Sequence, residues 1–329
     1  MNRRGALLVV LMAAVVLALA PGASAQAQPQ AQTWPVRPVR FIVSLGPGSG
    51  VDISARLLAD RLTARWNRTV VVENRPGADG VLAITTFITA HDDHTLLYSP
   101  TSAFTAHPYQ HDKMPYDPRE LGPIARVSNT ILGVVVPPSL NIGSVAELIA
   151  RIRQNPGKFN YSTATGMTDL MYDGYFKSAG LDITRVPYRD VVAPLTDLGE
   201  GRIQAYFGAL AIVLPHVEAG RAKLIAVTGS QRAPTWPDVP TVAEAGFPAL
   251  TFDGLTGLFG PRDMPANLRT RIAVDVNAAA AEPTVAARLI ANGQLLNPGN
   301  PDEFAASIEE QRARLAAIAK ELGIKAAQQ

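Results

Sequence analysis

The sequence predicts an α/β protein of two domains, each a mostly parallel β-sheet flanked by helices. Short apolar runs rich in β-branched residues alternate with segments of helical period along most of the chain, which is the pattern of βαβ units. The chain has 329 residues, a length that suits two domains of ordinary size. Parallel sheets bind ligands at the carboxyl ends of their strands, so function should reside in the turns that follow the strands.

The predicted strands are apolar runs bounded by glycine, proline or polar turn residues. Their β-branched side chains suit a pleated, buried surface. In chain order they are Val39–Leu45, Thr69–Glu73, Thr95–Tyr98, Ile131–Val136, Ile183–Val186, Ile203–Phe207 and Leu224–Thr228.

The predicted helices follow these strands and repeat apolar residues at helical spacing. Ser144 and Glu147 form a capping box at the start of one of them. The C-terminal third is predicted as long amphipathic helices that pack on the core. The helices before it are Val51–Trp66, Val81–Ala90, Val145–Gln154, Thr168–Ser178, Val191–Gly199 and Ile212–Ala219.

The N-terminus has the pattern of a cleaved Sec-type signal peptide. Arg3 and Arg4 precede an apolar run from Ala6 to Ala20, and a small-x-small site ends at Ala25. The apolar run is shorter than the roughly 20 residues that a membrane-spanning helix needs. We therefore expect export to the periplasm, cleavage after Ala25, and a disordered Ala/Gln-rich spacer over residues 26–33.

Composition excludes several classes of protein. The chain has no cysteine, so it is neither a cysteine enzyme nor a thiolate-metal protein. Its formal net charge of +2 falls to about zero when Arg3 and Arg4 leave with the signal peptide. The remaining charges are interspersed, without a basic stripe, which argues against nucleic acid and anionic membranes as partners.

The stretch VRFIVSLGPGSGVDISARLLADRL, residues 39–62, runs from a strand through a glycine-rich turn into a helix. Val51 stands where a dinucleotide fingerprint needs its third glycine, and no Gly-Lys-Ser/Thr follows to make a P-loop. Backbone N–H groups with the hydroxyls of Ser44 and Ser49 could instead hold a small anion. Asp52 could either secure the turn or accept from a ligand ammonium, and the turn could also be only a tight bend.

The chain has two further hydroxyl-rich turns, one after the predicted strand that ends at Tyr98 and one at the start of the predicted helix Thr168–Ser178. One is SPTSAFT at residues 99–105, and the other is YSTATGMTD at residues 161–169. Any one of them could be an ordinary helix cap, but three together predict one cleft lined from both domains. Their candidate ligand-binding residues are Ser99, Thr101, Ser102, Thr165, Gly166 and Thr168.

Longer motifs make the chain similar to a known family. WPVRPVRFIV, VVVENRPGADG, MPYDPRELGPIARV and DVPTVAEAGFP together resemble the periplasmic substrate-binding receptors of tripartite tricarboxylate transporters, the Bug family. The resemblance covers nearly the whole chain after the spacer, and VVENRPGADG with DVPTVAEAGFP is specific as a pair.

The resemblance implies a type II periplasmic binding protein, a Venus flytrap whose two domains close on a small carboxylated molecule. Residues 34–130 with 229–329 would form domain 1 and residues 131–228 domain 2, with a hinge at 131–136 and 224–228. It implies a monomeric binding protein without a cofactor, whose partner is an integral-membrane tripartite tricarboxylate transporter or a sensor protein.

Ligand-binding residues also follow from the resemblance. In such receptors backbone N–H groups and hydroxyls of the first turn and of the second-domain turn hold the carboxylate. The corresponding positions are Ser44, Gly48, Ser49, Gly50, Asp52, Thr165, Gly166 and Thr168, and the neighbouring candidates are Thr101, Ser102, Asp169 and Gly208.

This chain departs from the family pattern at several of these positions. Ser44-Leu45 replaces the usual proline-phenylalanine before the glycine turn, and Asp169 adds a carboxylate where the usual residue is uncharged. The family commonly has aspartate at Gln204 and near Gly208, and tryptophan near Leu255. We therefore expect a pocket that differs from those of its relatives in shape and charge.

Two rival functions remain open at this point. His91, His94, His107 and His111 fall within a short span, which would suit a metal-binding receptor. An exported hydrolase is the second rival. However, no G-x-S-x-G motif occurs, and the presence of Asp169 and His216 in the sequence does not by itself indicate a catalytic triad. We expect a receptor that binds its ligand without turnover.

Overall fold

The computed structural model describes residues 34–164, 166–188 and 190–327, without the side chains of residues 102 and 103. The predicted signal peptide, its cleavage site, the spacer and Thr165 lie outside these residues. Contacts divide the chain into Met1–Val36 and Arg37–Gln329, and every element below belongs to the second unit. Within the described ranges, no helix is long and apolar enough to cross a membrane.

The first domain is built on a six-stranded sheet in the order β11-β4-β10-β3-β1-β2. β1 pairs in parallel with β2 and β3, whereas β10 and β11 are antiparallel to their neighbours. Its strands are β1 (Val39–Val43), β2 (Val70–Asn74), β3 (Thr95–Pro100), β4 (Leu121–Thr130), β10 (Gly254–Pro261) and β11 (Gln294–Gly299).

Helices from both ends of the chain cover this sheet. The core of the domain includes Ile42, Leu97, Phe259 and Phe304, all of them buried. The helices are α1 (Gly50–Trp66), α2 (Val81–Ala90), α3 (Ser102–Thr105), α8 (Ala266–Ala281), α9 (Pro283–Ala291) and α10 (Pro301–Leu322).

The second domain is built on a five-stranded sheet in the order β7-β6-β8-β5-β9. β6 pairs in parallel with β7 and β8, and β5 is antiparallel to β8 and β9. Its elements are β5 (Leu132–Val136), α4 (Val145–Gln154), β6 (Phe159–Thr163), α5 (Gly166–Ser178), β7 (Ile183–Arg185), α6 (Ala193–Gly199), β8 (Ala205–Ala209), α7 (Leu210–Glu218) and β9 (Lys223–Val227).

Both faces of the second sheet are covered. Val134 and Val136 of β5 pack in one buried cluster, and Val135 packs in another. Successive side chains of a strand point to opposite faces, so this division shows an apolar core on each side. The predicted architecture of two α/β domains is confirmed, with mixed sheets.

The chain passes directly from the first sheet to the second, because only Ile131 separates β4 from β5. Ile131 donates its N–H to Gly293 and accepts from Leu210 N–H, at 2.9 and 3.0 Å. The predicted domain boundaries and hinge stay predictions. Val242 and Leu250, which come after β9, pack with the core of the second sheet, which favours a return to the first domain later than residue 229.

The sequence predicted most helices closely and missed four strands. Val81–Ala90 and Val145–Gln154 have the predicted ends. The missed strands are β4, β6, β10 and β11, of which β4, β10 and β11 form antiparallel pairs. β10 contains Gly257, where a Cβ atom would come within 2.4 Å of the Phe304 ring. Packing against α10 thus requires glycine in a strand, and that glycine hides the strand signal.

Ser144 caps α4 and gives a test of local stability. Its Oγ accepts the N–H of Glu147 at 3.1 Å, and the Glu147 carboxylate accepts the N–H of Gly143 at 2.7 Å. We expect Ser144→Ala to lower the free energy of unfolding by about 1 kcal/mol, measured by urea denaturation. Ser178→Ala is the control, because that exposed hydroxyl only donates to a carbonyl of its own helix; equal losses in both variants would contradict the capping role.

Candidate functional site

A cavity of about 50 Å³ lies where strand ends of the two sheets meet. Its lining includes residues at the carboxyl ends of β1, β3, β6 and β8 or just after them, so it occupies the position at which α/β sheets bind ligands. Its lining is mostly apolar and includes no charged side chain. The lining residues are Leu45, Ser49, Gly50, Val51, Pro100, Thr130, Leu132, Ala164, Val191, Ala209, Ile212, Phe252 and Gly254.

The turn after β1 presents the start of α1 to this cavity. Ser49 is the N-cap of α1, and its Oγ accepts the N–H of Asp52 at 3.2 Å. Gly48 has a φ of 80°, which favours glycine, and donates its N–H to the Asp52 carboxylate at 2.9 Å. The first N–H groups of a helix have no partner within it, so Gly50 and Val51 are the donors that the turn offers.

Asp52 secures the turn. One carboxylate oxygen accepts from Arg56 Nε and from Asn74 Nδ2, each at 2.9 Å, and the other accepts from Gly48. Burial alone would raise the pKa of Asp52, but the hydrogen bonds from Gly48, Arg56 and Asn74 hold that pKa below its usual value. Of the two roles left open by the sequence, these contacts support the structural one.

Gly50 lies between residues of the two domains. A Cβ atom there would lie 3.1 Å from Gln294 Nε2 and 3.5 Å from Ala211 Cβ. Gln294 is fully buried, donates to the Gly50 carbonyl at 2.5 Å, and accepts from Ser128 Oγ at 2.7 Å. The start of α1 is therefore fixed from the first domain while it faces α7 of the second.

The other candidate residues of the first domain make hydrogen bonds within that domain. Ser44 and Ser99 are buried and share a hydrogen bond of 2.8 Å between their hydroxyls. Thr101 is buried and its hydroxyl is 2.5 Å from Gln311 Oε1 of α10. The structure thus turns Thr101 toward the C-terminal helix, and the side chain of Ser102 lies outside the described part.

The second-domain turn meets side chains from the first domain. Gly166, the first residue of α5, donates its N–H to the Asp79 carboxylate at 3.3 Å. The Gln110 side chain also donates to this carboxylate. Thr168 is buried in the first turn of α5, and Thr165 lies outside the described residues. Asp79 and Gln110 were not among the residues that the sequence singled out.

Asp169 is held inside the second domain. It accepts from Thr163 Oγ1, and Arg185 Nη1 lies 3.0 Å from its other oxygen. Burial raises the pKa of Asp169, against the opposing effects of Thr163 and Arg185. Gly208 lies in β8 under the Tyr206 ring, because a Cβ atom there would come within 2.1 Å of Tyr206 Cε1. Its neighbour Ala209 lines the cavity instead.

The four histidines do not form one cluster. Both ring nitrogens of His107 are engaged, with Tyr116 Oη at 2.6 Å and the Asp79 carbonyl at 3.1 Å. Among the described residues, the one group with metal-ligand geometry is Asp92, Asp93 and His94. Asp92 there accepts from the N–H groups of His94 and Thr95 at 2.8 Å, so this cluster shapes the turn before β3. His94 itself is buried.

A larger cavity of about 430 Å³ lies beside the same turn. Residues 91–93 and 261–265 contribute to its lining. Residues 91–93 precede β3, so this cavity lies at the amino end of a parallel strand, opposite to the end at which such sheets bind ligands. The smaller cavity between the domains is therefore the candidate site.

Comparison with known proteins identifies the class. The family model of the tripartite tricarboxylate transporter family receptor matches residues 54–324. The chain therefore belongs to this family of periplasmic solute-binding receptors, as its motifs suggested, and is a binding protein rather than an enzyme. Among curated relatives, protein BugT of Bordetella pertussis is 30% identical over 300 residues, covering 90% of this chain and 92% of the relative.

Solved structures share the fold over almost their whole length. A periplasmic transporter has a TM-score of 0.81 at 30% identity, covering 89% of this chain and 99% of that one. R. palustris Rpa4515 with adipate has a TM-score of 0.80 at 28% identity, with the same coverage. MatC from Rhodopseudomonas palustris with bound malate has a TM-score of 0.77 at 25% identity, covering 87% and 99%.

The contacts of Asp52 predict a loss of stability on substitution. Asp52→Asn removes the charge that three donors share, and we expect a cost of about 1 to 3 kcal/mol, measured by urea denaturation at pH 7. The lowered pKa means that this contribution is present above the unfolded pKa of about 3.9 and is lost as the pH falls through the folded pKa.

The difference between Asp52→Asn and the parent should therefore be constant from pH 5 to 8 and shrink below about pH 4. Asp60→Asn is the matched control, since Asp60 is exposed on the same helix. A difference that grows on acidification would contradict the assignment.

Proposed function

We propose that this protein is a periplasmic receptor that captures a small carboxylate-bearing solute in the cavity between its domains and delivers it to a tripartite membrane transporter. The observation that carries the proposal is the start of α1, where Gly50 and Val51 line that cavity. Relatives of the same fold are seen with adipate and malate, both of which are carboxylates. An alternative recipient is a sensor protein.

The chemistry of the cavity suits this role. The first N–H groups of a helix form a favourable position for an anionic oxygen, because they are unpaired and the helix dipole is positive there. Thr130 and Ser49 also line the cavity, and the other lining residues are glycine or apolar. Such a site holds one anionic group through backbone dipoles and surrounds the rest of the ligand with apolar contacts.

The sequence of the first 25 residues supports export, and we propose cleavage of the signal peptide after Ala25. We also propose that the protein acts as a monomer that closes by a hinge motion. The chain crosses between the sheets at Ile131, next to β5, and returns to the first sheet at β10, after Leu250 has packed on the second domain. Short connections of this kind can absorb the rotation of one domain against the other.

Binding without turnover is the first test. Purified mature protein should show a raised melting temperature with at least one member of a carboxylic acid panel, since a ligand at a hundredfold excess over its Kd adds about 2.7 kcal/mol. The bound acid, recovered and analysed by NMR, should be chemically unchanged. Stabilisation by a divalent metal alone, with no response to any acid, would favour the metal-receptor alternative.

Substitutions in the glycine turn test the location of the site. Gly50→Ala adds a methyl group 3.1 Å from Gln294 Nε2 and 3.5 Å from Ala211 Cβ. It should displace Gln294, which holds the Gly50 carbonyl, and so shift the donors at the start of α1; we expect affinity to fall tenfold or more, about 1.4 kcal/mol, by calorimetry. Gly46→Ala is the control in the same turn, because a Cβ atom there has no neighbour within 4 Å. Equal affinities for both variants would remove the turn from the site.

Closure can be measured in solution. Small-angle scattering with and without a saturating acid should show a smaller radius of gyration in the bound state, because hinge closure brings the two domains together. An unchanged radius at saturation would contradict a hinge about Ile131–Val136 and Leu224–Thr228.

A further inference from the structure

Asp79 brings a carboxylate from the first domain to the start of α5 in the second. It lies in the short turn Ala78–Gly80 and has a φ of 51°, a conformation that a non-glycine residue rarely adopts. Its Oδ2 is 3.3 Å from the N–H of Gly166. The carboxylate thus occupies a position that the second-domain turn could offer to an anionic ligand.

The absence of a side chain at Gly166 makes this contact possible. A Cβ atom there would fall 2.5 Å from Asp79 Oδ2 and 1.9 Å from Gln110 Nε2. Asp79 and Gln110 together therefore fill the space in front of α5. A second ligand carboxylate could reach the Gly166 N–H only by displacing them.

The charges around Asp79 are unfavourable for another anion. Asp169 lies in the first turn of α5, and its negative charge repels that of Asp79. Arg185 lies 3.0 Å from both Asp169 and Asp173, so its charge is shared by those two carboxylates. Within residues 34–164, 166–188 and 190–327, no salt bridge includes Asp79.

His107, beside Asp79, does not compensate its charge at neutral pH. His107 contacts the Asp79 carbonyl rather than its carboxylate, and burial lowers the pKa of His107 to about 4. The His111 ring packs on the His107 ring at 5.3 Å. Tyr116 bonds to His107 and remains protonated, because burial raises its pKa.

The environment also changes how Asp79 titrates. Asp79 is exposed as a residue, but its carboxylate meets the Gly166 N–H and the Gln110 side chain. Burial there, followed by the charge of Asp169, raises the pKa of Asp79 to about 7. The carboxylate is therefore charged above neutrality and increasingly neutral below it.

We propose that Asp79 is a specificity-determining residue that restricts the ligand to a single carboxylate. This rests on the proposed function, in which the start of α1 holds the ligand carboxylate. The other end of the ligand would be uncharged or cationic and would face Asp79. The apolar lining suits the body of such a molecule. Adipate and malate each carry two carboxylates, so this receptor should differ in ligand preference from the relatives that are seen with them.

Pairs of acids with equal chain length test this inference. Calorimetry at pH 8 would compare butyrate with succinate and hexanoate with adipate on the parent protein, Asp79→Asn and the control Asp60→Asn. On the parent and on Asp60→Asn, we expect each monocarboxylate to bind at least tenfold more tightly than its dicarboxylate. Asp79→Asn should reduce the ratio of monocarboxylate affinity to dicarboxylate affinity at least tenfold, mainly by tighter binding of the dicarboxylate.

A second measurement at pH 6 uses the titration of Asp79. For the parent protein, the ratio of monocarboxylate affinity to dicarboxylate affinity should be smaller at pH 6 than at pH 8, because the Asp79 carboxylate is mostly protonated at pH 6. Asp79→Asn lacks the group and should show the same ratio at both values, although Asp169, His107 and His111 remain in place. Circular dichroism and melting temperatures would confirm that each variant is folded.

The outcomes separate the two proposals. Tighter binding of succinate or adipate by the parent at pH 8, or an unchanged ratio in Asp79→Asn, would overturn the role of Asp79 and leave the receptor function intact. Failure of the parent and of every variant to bind any of the four acids would contradict the proposed function, and this inference with it.

Discussion

The close approach of the two domains at Gly50 is the constraint on which the site depends. On one side, Gln294 fixes the Gly50 carbonyl to the first sheet, and Ser128 fixes Gln294 in turn. On the other side, Ala211 of the second domain faces Gly50, and a Cβ atom at Gly50 would lie 3.5 Å from Ala211 Cβ. Gly50 and Val51 line the cavity at this point, so the start of α1 faces the space between the domains.

Recognition of an anion without a cationic side chain requires that backbone dipoles be held in place beforehand. Asp52 performs this task, since Gly48, Arg56 and Asn74 all converge on its carboxylate. The donors that balance its negative charge all belong to the first domain. The cavity therefore has no charged lining residue, and the start of α1 supplies its positive potential.

Gly166 has the corresponding role on the second domain. At both Gly50 and Gly166, a missing side chain lets a residue of the other domain come into contact. The chemical result differs, because Gly50 faces an apolar neighbour whereas Gly166 faces the Asp79 carboxylate. In the proposed binding mode, the start of α1 faces the ligand carboxylate and Asp79 faces the other end of the ligand, and this difference in charge would distinguish the two ends.

The sequence alone determined the features that depend on neighbours along the chain. Helices α2 and α4 could be predicted to the residue because caps and apolar spacing are local signals, and the glycine turn after β1 was evident for the same reason. The class of protein followed from long motifs, and the family match confirmed it.

Tertiary structure decided everything that depends on distant segments. β10 and β11 return to the first sheet from far along the chain and pair antiparallel there, so their signal is not in their own residues. Asp79 and Gly166 are 87 positions apart, and no spacing rule connects them. The sequence could supply the carboxylate and the glycine, but only the packing of two domains could place one against the other.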